Sequence, residues 1–309
     1  MKLLSIVFSF RNEEQTIPEM IKRVDQAMRN LVNWKYELIY VNDYSTDNSE
    51  QILLKQKEKF PITIINLSRN FGGTPSILAG LSLANGDAII YMDSDLQDPP
   101  ELIPKLVEKY EKGFDVVHTR RAKRLGESKL KLFVTHLAYK FISTFSLNCD
   151  LPKNVGDFKL LSKTALKHLL SLKEYDPYLR GLSIWIGFEQ AFVDYIREPR
   201  FAGKTKYHFF TLNPYAEFIR GITSFSNLPL YFGVFLGLIS ILICLGLIIY
   251  SFVIKILSTT STGIPSILIS ISFFSGIILL NLGIIGIYLA KIYDQVKNRP
   301  QYIIKNIKK

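Results

Sequence analysis

Two different patterns of apolar residues divide the chain. Through residue 227, short apolar runs alternate with stretches in which apolar side chains recur every three or four positions among charged ones. From Leu228 onward that alternation gives way to two long runs, 228–254 and 264–290, almost free of charge. The short runs read as strands and the periodic stretches as helices. Strands are expected over 4–10, 36–42, 62–67, 88–92 and 115–119, and helices over 17–32, 49–58, 74–84, 101–112 and 162–170. Thr16, ahead of Pro18, and Asp47 or Ser49 are the expected N-caps of the first two helices, Gly86 follows the third, and Pro99-Pro100 precedes the fourth. Alternation of this kind predicts an α/β domain with a mostly parallel sheet covered on both faces, and a ligand crevice at the carboxyl ends of its strands.

Each long run exceeds the roughly 20 residues that a helix needs to cross a bilayer. Backbone groups in lipid must be satisfied internally, so a two-helix transmembrane hairpin over 228–254 and 264–290 is expected, joined by a short loop. The loop carries one cation, Lys255, whereas Lys291, Lys297, Arg299, Lys305, Lys308 and Lys309 follow the second run and Arg197, Arg200, Lys204, Lys206 and Arg220 precede the first. The excess of cations on both flanks places both termini in the cytoplasm. The division is then 1–212 for the cytoplasmic domain, 213–227 for an interfacial helix or linker, 228–290 for the hairpin and 291–309 for a basic cytoplasmic tail. Segments 129–145 and 213–226 are amphipathic, which suits helices lying on the membrane and core-facing helices equally. The apolar N-terminus resembles a signal peptide, but Arg11-Asn12-Glu13-Glu14 follows at once without a small-residue cleavage site, so it is expected to be a first, buried strand.

The net charge of +11 is read as attraction to anionic headgroups and phosphates, and no nucleic-acid module is visible. Cys149 and Cys244, one in each part, are expected to be unpaired in a reducing compartment.

Polar residues gather where the first, second and fourth strands end: Ser9 to Glu14, Asn42 to Asp47, and Asp93 to Asp98. Three acidic loops after three parallel strands are expected to converge on one site. In Asp93-Ser94-Asp95-Leu96-Gln97, two carboxylates and an amide supply hard oxygen ligands, suited to Mg²⁺ or Mn²⁺ bridging to substrate phosphates. Asp157, between Gly156 and Phe158, reads either as a partly buried base or as a turn residue before the following helix. The loop from Arg197 to Tyr207 reads as a phosphate grip or as a headgroup contact.

As a set these motifs resemble the polyprenyl-phosphate glycosyltransferases of the GT-A, family 2 type, which include dolichyl-phosphate mannose synthase and bacterial bactoprenol glucosyltransferases. The likeness runs through Asn12-Glu13-Glu14, Val41-Asn42-Asp43, Arg69-Asn70-Phe71-Gly72, Asp93 through Pro100, Val155-Gly156-Asp157-Phe158, Arg200 through Tyr207 and Gly221 through Ser226, and so covers essentially the whole chain. It implies a Rossmann-like GT-A domain. It places Ser9, Arg11, Glu13, Val41 and Asp43 on the nucleotide, Asp93, Ser94, Asp95 and Gln97 on the metal and diphosphate, Arg120, Arg200 and Lys206 on phosphates, and Asp157 at the catalytic carboxylate. The family usually has Pro and Tyr where Ser9 and Arg11 stand, and Gly where Tyr44 stands.

The resemblance implies inverting transfer of a sugar from a nucleotide-sugar to undecaprenyl phosphate for cell-envelope glycosylation, with UDP-glucose as the first expected donor. N-acetylhexosamine, mannose from GDP-mannose and aminoarabinose are the other candidates. A processive polysaccharide synthase would carry more membrane helices and a Gln-x-x-Arg-Trp motif, and neither Trp34 nor Trp185 stands in one. An inactive membrane scaffold would have no use for Asp93, Asp95, Gln97 and Asp157. Membrane lipids are the expected surroundings of the hairpin, which leaves room for homo-oligomers through helix packing.

Overall fold

The computed structural model describes residues 1–124, 155–198, 201, 223–224, 226–257 and 263–309. The chain forms two compact units, Met1–Ser224 together with Pro300–Lys309, and Phe225–Arg299. The expected segments 129–145 and most of 213–227, together with Cys149, Arg200 and Lys206, lie outside the described residues.

The first unit begins with the expected alternation: β1 (Lys2–Phe10), α1 (Ile17–Arg29), β2 (Trp34–Asn42), α2 (Ser49–Gln56), β3 (Ile62–Leu67), α3 (Gly73–Leu81) and β4 (Ala88–Asp93). A 3₁₀ turn at Pro100–Leu102 leads into α4 (Ile103–Glu111), followed by β5 (Val116–Arg124), β6 (Val155–Ser162), α5 (Lys163–Ser171), α6 (Leu179–Trp185) and β7 (Gln190–Arg197). The last strand, β8 (Ile304–Lys308), comes from the far end of the chain. The eight strands lie in the order β7-β5-β6-β4-β1-β2-β3-β8. The junctions β1–β2, β1–β4, β2–β3 and β5–β7 are parallel, whereas β4–β6, β5–β6 and β3–β8 are antiparallel. The result is the Rossmann-like, GT-A-type mixed sheet, with its parallel part on the first four strands.

Period-two alternation sorts the strand residues between the two faces. Leu4, Ile6, Phe8 and Phe10 of β1 join Leu38 and Tyr40 of β2 and Ile90 and Met92 of β4 in one core, where Ile17, Met20, Ile21 and Val24 of α1 pack. Phe8 stacks on Tyr40 with ring centroids 4.6 Å apart. On the opposite face α3 approaches so closely that a Cβ on Gly80 would lie 2.9 Å from Val41 Cγ2 and closer still to Val7 Cγ1.

Thr16 is the N-cap residue of α1 as expected, although its Oγ1 donates to the carbonyl and carboxylate of Glu13, each at 3.2 Å, and makes no side-chain capping bond. One capping expectation is corrected. The N-cap of α2 is Asn48, and Asp47 steadies the helix from one residue further out by accepting from Ser49 N at 3.1 Å.

The tail also differs from its sequence pattern. The last apolar helix continues to Lys297, Asn298 closes it in the left-handed region at φ 47°, and Ile304–Lys308 then pairs antiparallel with β3. Without β8, β3 would be an edge strand with a row of unpaired backbone groups. Five residues with only two apolar ones give no strand pattern of their own, so the pairing is made by β3.

In the second unit α7 (Leu228–Leu257) and α8 (Ile264–Lys297) carry the apolar runs. Pro229–Tyr250 and Ile269–Lys297 reach mean hydropathies of 2.9 and 2.1 with none of that stretch buried inside the chain, and both are long and apolar enough to cross a membrane. Gly233 lets the helices meet, since a Cβ there would collide with the Asn281 side chain. Asn281 Nδ2 itself donates to Ile277 O at 2.9 Å, which keeps this polar group satisfied within its own helix.

The close seat of α3 generates a test. Gly80→Val is expected to cost about 1–3 kcal/mol through overpacking, seen as a lower unfolding midpoint of the purified full chain. An unchanged midpoint would refute the tight packing of α3 against Val7 and Val41.

Candidate active site

Parallel pairing of β1 with both β2 and β4 puts three strand ends side by side. The register sets Ser9 opposite Val41 on one side and Asp93 on the other, so three sequence-predicted residues form one row across the sheet. The loops leaving this row each contain a non-glycine residue in the left-handed region: Asn12 (φ 54°) after β1, Tyr44 (φ 62°) after β2 and Leu96 (φ 59°) after β4. Asn tolerates this conformation, whereas for Tyr and Leu it costs about 1–2 kcal/mol each. The positive φ at Tyr44 gives the physical reason why Gly suits that position.

Hydrogen bonds between the loops maintain the strained turns. Asn12 N donates to Ser45 Oγ at 3.1 Å, and Thr46 N donates back to Asn12 Oδ1 at 2.8 Å. Buried Glu13 donates its N–H to Ser49 Oγ at 2.9 Å. Asp43, also buried, accepts from Phe71 N at 2.7 Å and Gly72 N at 3.0 Å, tying the β2 loop to the Arg69-Asn70-Phe71-Gly72 loop after β3. Ser94 Oγ donates to Ser9 O at 3.1 Å. Arg11 lies exposed beside Asn12. Ser9, Arg11, Glu13, Val41, Asp43, Asp93 and Ser94 thus all lie at one end of the sheet.

Beyond the row lies a concentration of acid. Burial, reinforced by the charges of Asp95, Asp157 and Asp98 and opposed by Arg197, pushes Asp93 up to about 7. No group of three His, Cys, Asp or Glu side chains is arranged to hold a metal among the described residues. The residues that would hold a divalent cation here are Asp93 and Asp95, with Gln97 two positions further on, together with substrate phosphates. A divalent cation fits this set, because the mutual repulsion that raises Asp93 is what such an ion relieves.

Asp98, 1% exposed, is balanced by cations. Arg121 lies 3.7 Å and Arg197 3.6 Å from its carboxylate, while Tyr195 donates to it. Arg120 does not share this cluster. Along β5 neighbouring side chains point to opposite faces, and Arg120 forms an exposed forked pair with Asp194 at 2.6 and 2.9 Å. The buried Arg121, one position on, is the arginine that the fold brings beside Asp98.

Asp157 is in strand β6 and not in a turn. Antiparallel pairing sets Lys159 opposite Tyr91, which carries Asp157, two residues earlier, toward Asp93. Arg180 on α6 forks onto Asp157, with Nε 2.8 Å from Oδ1 and 2.9 Å from Oδ2. Burial alone would raise Asp157, but the guanidinium of Arg180, helped by Lys159 and Arg121, holds it well below the usual carboxylate range. Lys159 is fully buried, donates to Ser183 Oγ at 2.7 Å, and is pulled down to about 7 by burial against the attraction of Asp157. Neither Arg180 nor Lys159 stands in a recognisable sequence motif. Only a lysine interrupting the apolar run Phe158-Lys159-Leu160-Leu161 hinted at an unusual charge.

Residues 5–170 match the family described as Glycosyl transferase family 2. An uncharacterised glycosyltransferase of Bacillus subtilis (strain 168) is 39% identical over 310 residues, covering 97% of this chain and 93% of its own length. The SfII prophage-derived bactoprenol glucosyl transferase of Shigella flexneri is 37% identical over 307 residues, covering 98% of this chain and 97% of its own. A prophage bactoprenol glucosyl transferase homolog of Escherichia coli (strain K12) is 36% identical over 309 residues, covering 99% of each chain.

Lys159 makes stability depend on pH. Its folded pKa of about 7 lies below the ordinary lysine value of 10.5, so between these values the unfolded chain binds more protons and stability rises with pH. Lys159→Met removes this rise. Relative to wild type, the variant is expected to be most favoured near pH 7 and to lose that advantage toward pH 9.5, as measured by denaturant unfolding. A difference independent of pH would refute the buried, perturbed lysine.

Proposed function

We propose that this chain, which belongs to glycosyltransferase family 2, is a hexosyltransferase that moves glucose from UDP-glucose onto undecaprenyl phosphate with inversion at the anomeric carbon. The observation that carries this reading is the combination, in one chain, of an acidic pit at the end of the Ser9–Val41–Asp93 row with two helices of bilayer length. The first suits a diphosphate leaving group with its cation, and the second suits an acceptor that resides in a bilayer. The identity of 37% with a bactoprenol glucosyl transferase along nearly the whole length supports the same acceptor and sugar.

In this reading an oxygen of the lipid phosphate attacks the anomeric carbon, forming the new C–O bond as the bond from that carbon to the nucleoside diphosphate breaks. Mg²⁺ or Mn²⁺ bound by Asp93 and Asp95, with Gln97 alongside, would neutralise the departing diphosphate. Ser9, Arg11, Glu13, Val41 and Asp43, with Ser94, hold the nucleotide across the strand ends. Arg200 and Lys206, and Arg120 when its surface pair with Asp194 opens, supply positive charge for phosphates. A phosphate monoester is already largely ionised near neutral pH, so a base has little to remove. Asp157 is held as a carboxylate by Arg180, and its role is to orient the acceptor and to stabilise positive charge at the anomeric centre.

In this reading the catalytic unit and both flanks of the hairpin lie in the cytoplasm. The pairing of β8, which follows α8, with a sheet built from residues that precede α7 supports a common side for the two flanks. The cations flanking the hairpin agree with this orientation. The product, a polyprenyl-phosphate-linked sugar, serves cell-envelope glycosylation.

Two experiments test the reading. Membranes containing the chain, given radiolabelled UDP-glucose and undecaprenyl phosphate, are expected to form an acid-labile, chloroform-soluble labelled lipid. EDTA should abolish this product and Mn²⁺ or Mg²⁺ should restore it. Label carried only by another nucleotide-sugar would reassign the donor, and full activity after stripping would exclude the metal. Separately, Asp157→Asn should lower kcat by about 10²–10⁴-fold, the range for a group that acts in the transition state, with little change in donor KM. Turnover near wild type would remove Asp157 from the mechanism.

A further inference from the structure

The tail strand does more than cover an edge. A chain of amide side chains, buried at Asn66 and Asn42, runs from it across the sheet to the loop after β2. Asn66 Nδ2 on β3 donates to Asn306 Oδ1 on β8 at 2.8 Å and to Glu50 Oε1 at 2.6 Å. Asn42 Nδ2, at the end of β2, donates to Asn66 Oδ1 at 2.9 Å. Asn42 Oδ1 then accepts from Ser45 N at 2.8 Å, and Ser45 Oγ accepts from Asn12 N at 3.1 Å. Lys308 anchors the tail by pairing with Glu50 at 2.9 Å. Asn42 and Asn66 are 6% and 7% exposed, so an amide left unpartnered there is costly.

Edge coverage needs only backbone pairing, which β8 provides with or without these side chains. The amide chain, by contrast, ends on the turn that contains Asp43, Tyr44 and Ser45, where Tyr44 is held at a positive φ. Between tail and loop lies a cavity of about 310 Å³ whose walls include Tyr44, Ser45, Glu50, Lys305 and Asn306, so the tail forms one side of the space next to the loop.

We propose that the C-terminal strand is a working part of the nucleotide site, with Asn306 as a positioning residue that acts through Asn66 and Asn42 to hold the loop after β2 in its binding shape. This rests on the reading of that loop as a nucleotide contact. Asn306 is itself exposed, so replacing it leaves the core intact.

The test uses the full-length chain. UDP binding to wild type is measured first, then KM for UDP-glucose, kcat and the unfolding midpoint for Asn306→Ala and Asn306→Asp. Losing the acceptor for Asn66 is expected to raise KM in the Ala variant by about three- to tenfold, the worth of one hydrogen bond, with kcat unchanged and the midpoint lowered only slightly. The Asp variant keeps the accepting oxygen and should return KM close to wild type. An unaltered KM in the Ala variant, an equal rise in the Asp variant, or a lowered midpoint without a KM change would overturn the proposal while leaving the nucleotide reading intact. Failure of wild type to bind UDP or any other nucleoside diphosphate would instead overturn the nucleotide reading and this inference with it.

Discussion

Parallel pairing of β1 with a neighbour on each side is the constraint on which the molecule depends. Strands that run the same way end at the same edge of the sheet, and the loops that leave them must share that edge. Here the shared edge holds Ser9, Val41 and Asp93 in one row. Everything polar at the site is built outward from that row. The residues at positive φ, Asn12, Tyr44 and Leu96, are held because each loop is hydrogen-bonded to its neighbours.

The same edge collects more negative charge than a protein interior accepts by itself. The structure answers in three ways. Asp98 is surrounded by Arg121, Arg197 and Tyr195, and Asp157 is clamped by Arg180 with Lys159 behind it. Among the described residues no guanidinium clamps Asp93 in this way, and burial together with the other acids pushes its carboxyl upward. This difference separates the roles physically. A carboxylate paired with a guanidinium keeps its charge and its position, as Asp157 does, whereas one raised by its neighbours is a place where an incoming cation gains the most.

The C-terminal strand joins the two ends of the chain in one sheet. Residues beyond the second apolar helix complete the unit that residues before the first helix began, so the hairpin is an insertion in a single folded domain and not a terminal appendage. Its polar side chains extend the sheet's order to the loop after β2 through Asn66 and Asn42. An element that is unremarkable in composition thereby gains a structural and, by the inference above, a functional place.

Much of this was legible in the order of residues. The first four strands, the alternation with α1 through α4, the acidic loops at strand ends and both long apolar helices follow from local periodicity, and neighbours in sequence are all that periodicity requires. The resemblance to family 2 rested on short contiguous motifs for the same reason. Other features depend on pairings between distant segments. That β5 turns Arg121 inward and Arg120 outward depends on the phase of the strand against β6 and β7. That Arg180 meets Asp157, or that Lys159 is buried without a full counter-charge of its own, depends on where α6 packs. That Ile304–Lys308 is a strand depends on the open edge of β3. The sequence by itself determined the first alternating elements, the two long apolar helices, the family and the acidic chemistry of the strand ends. Only the tertiary structure decided which charges neutralise one another and where the tail goes, because such choices are made by contacts between residues far apart in the chain, and no local pattern records them.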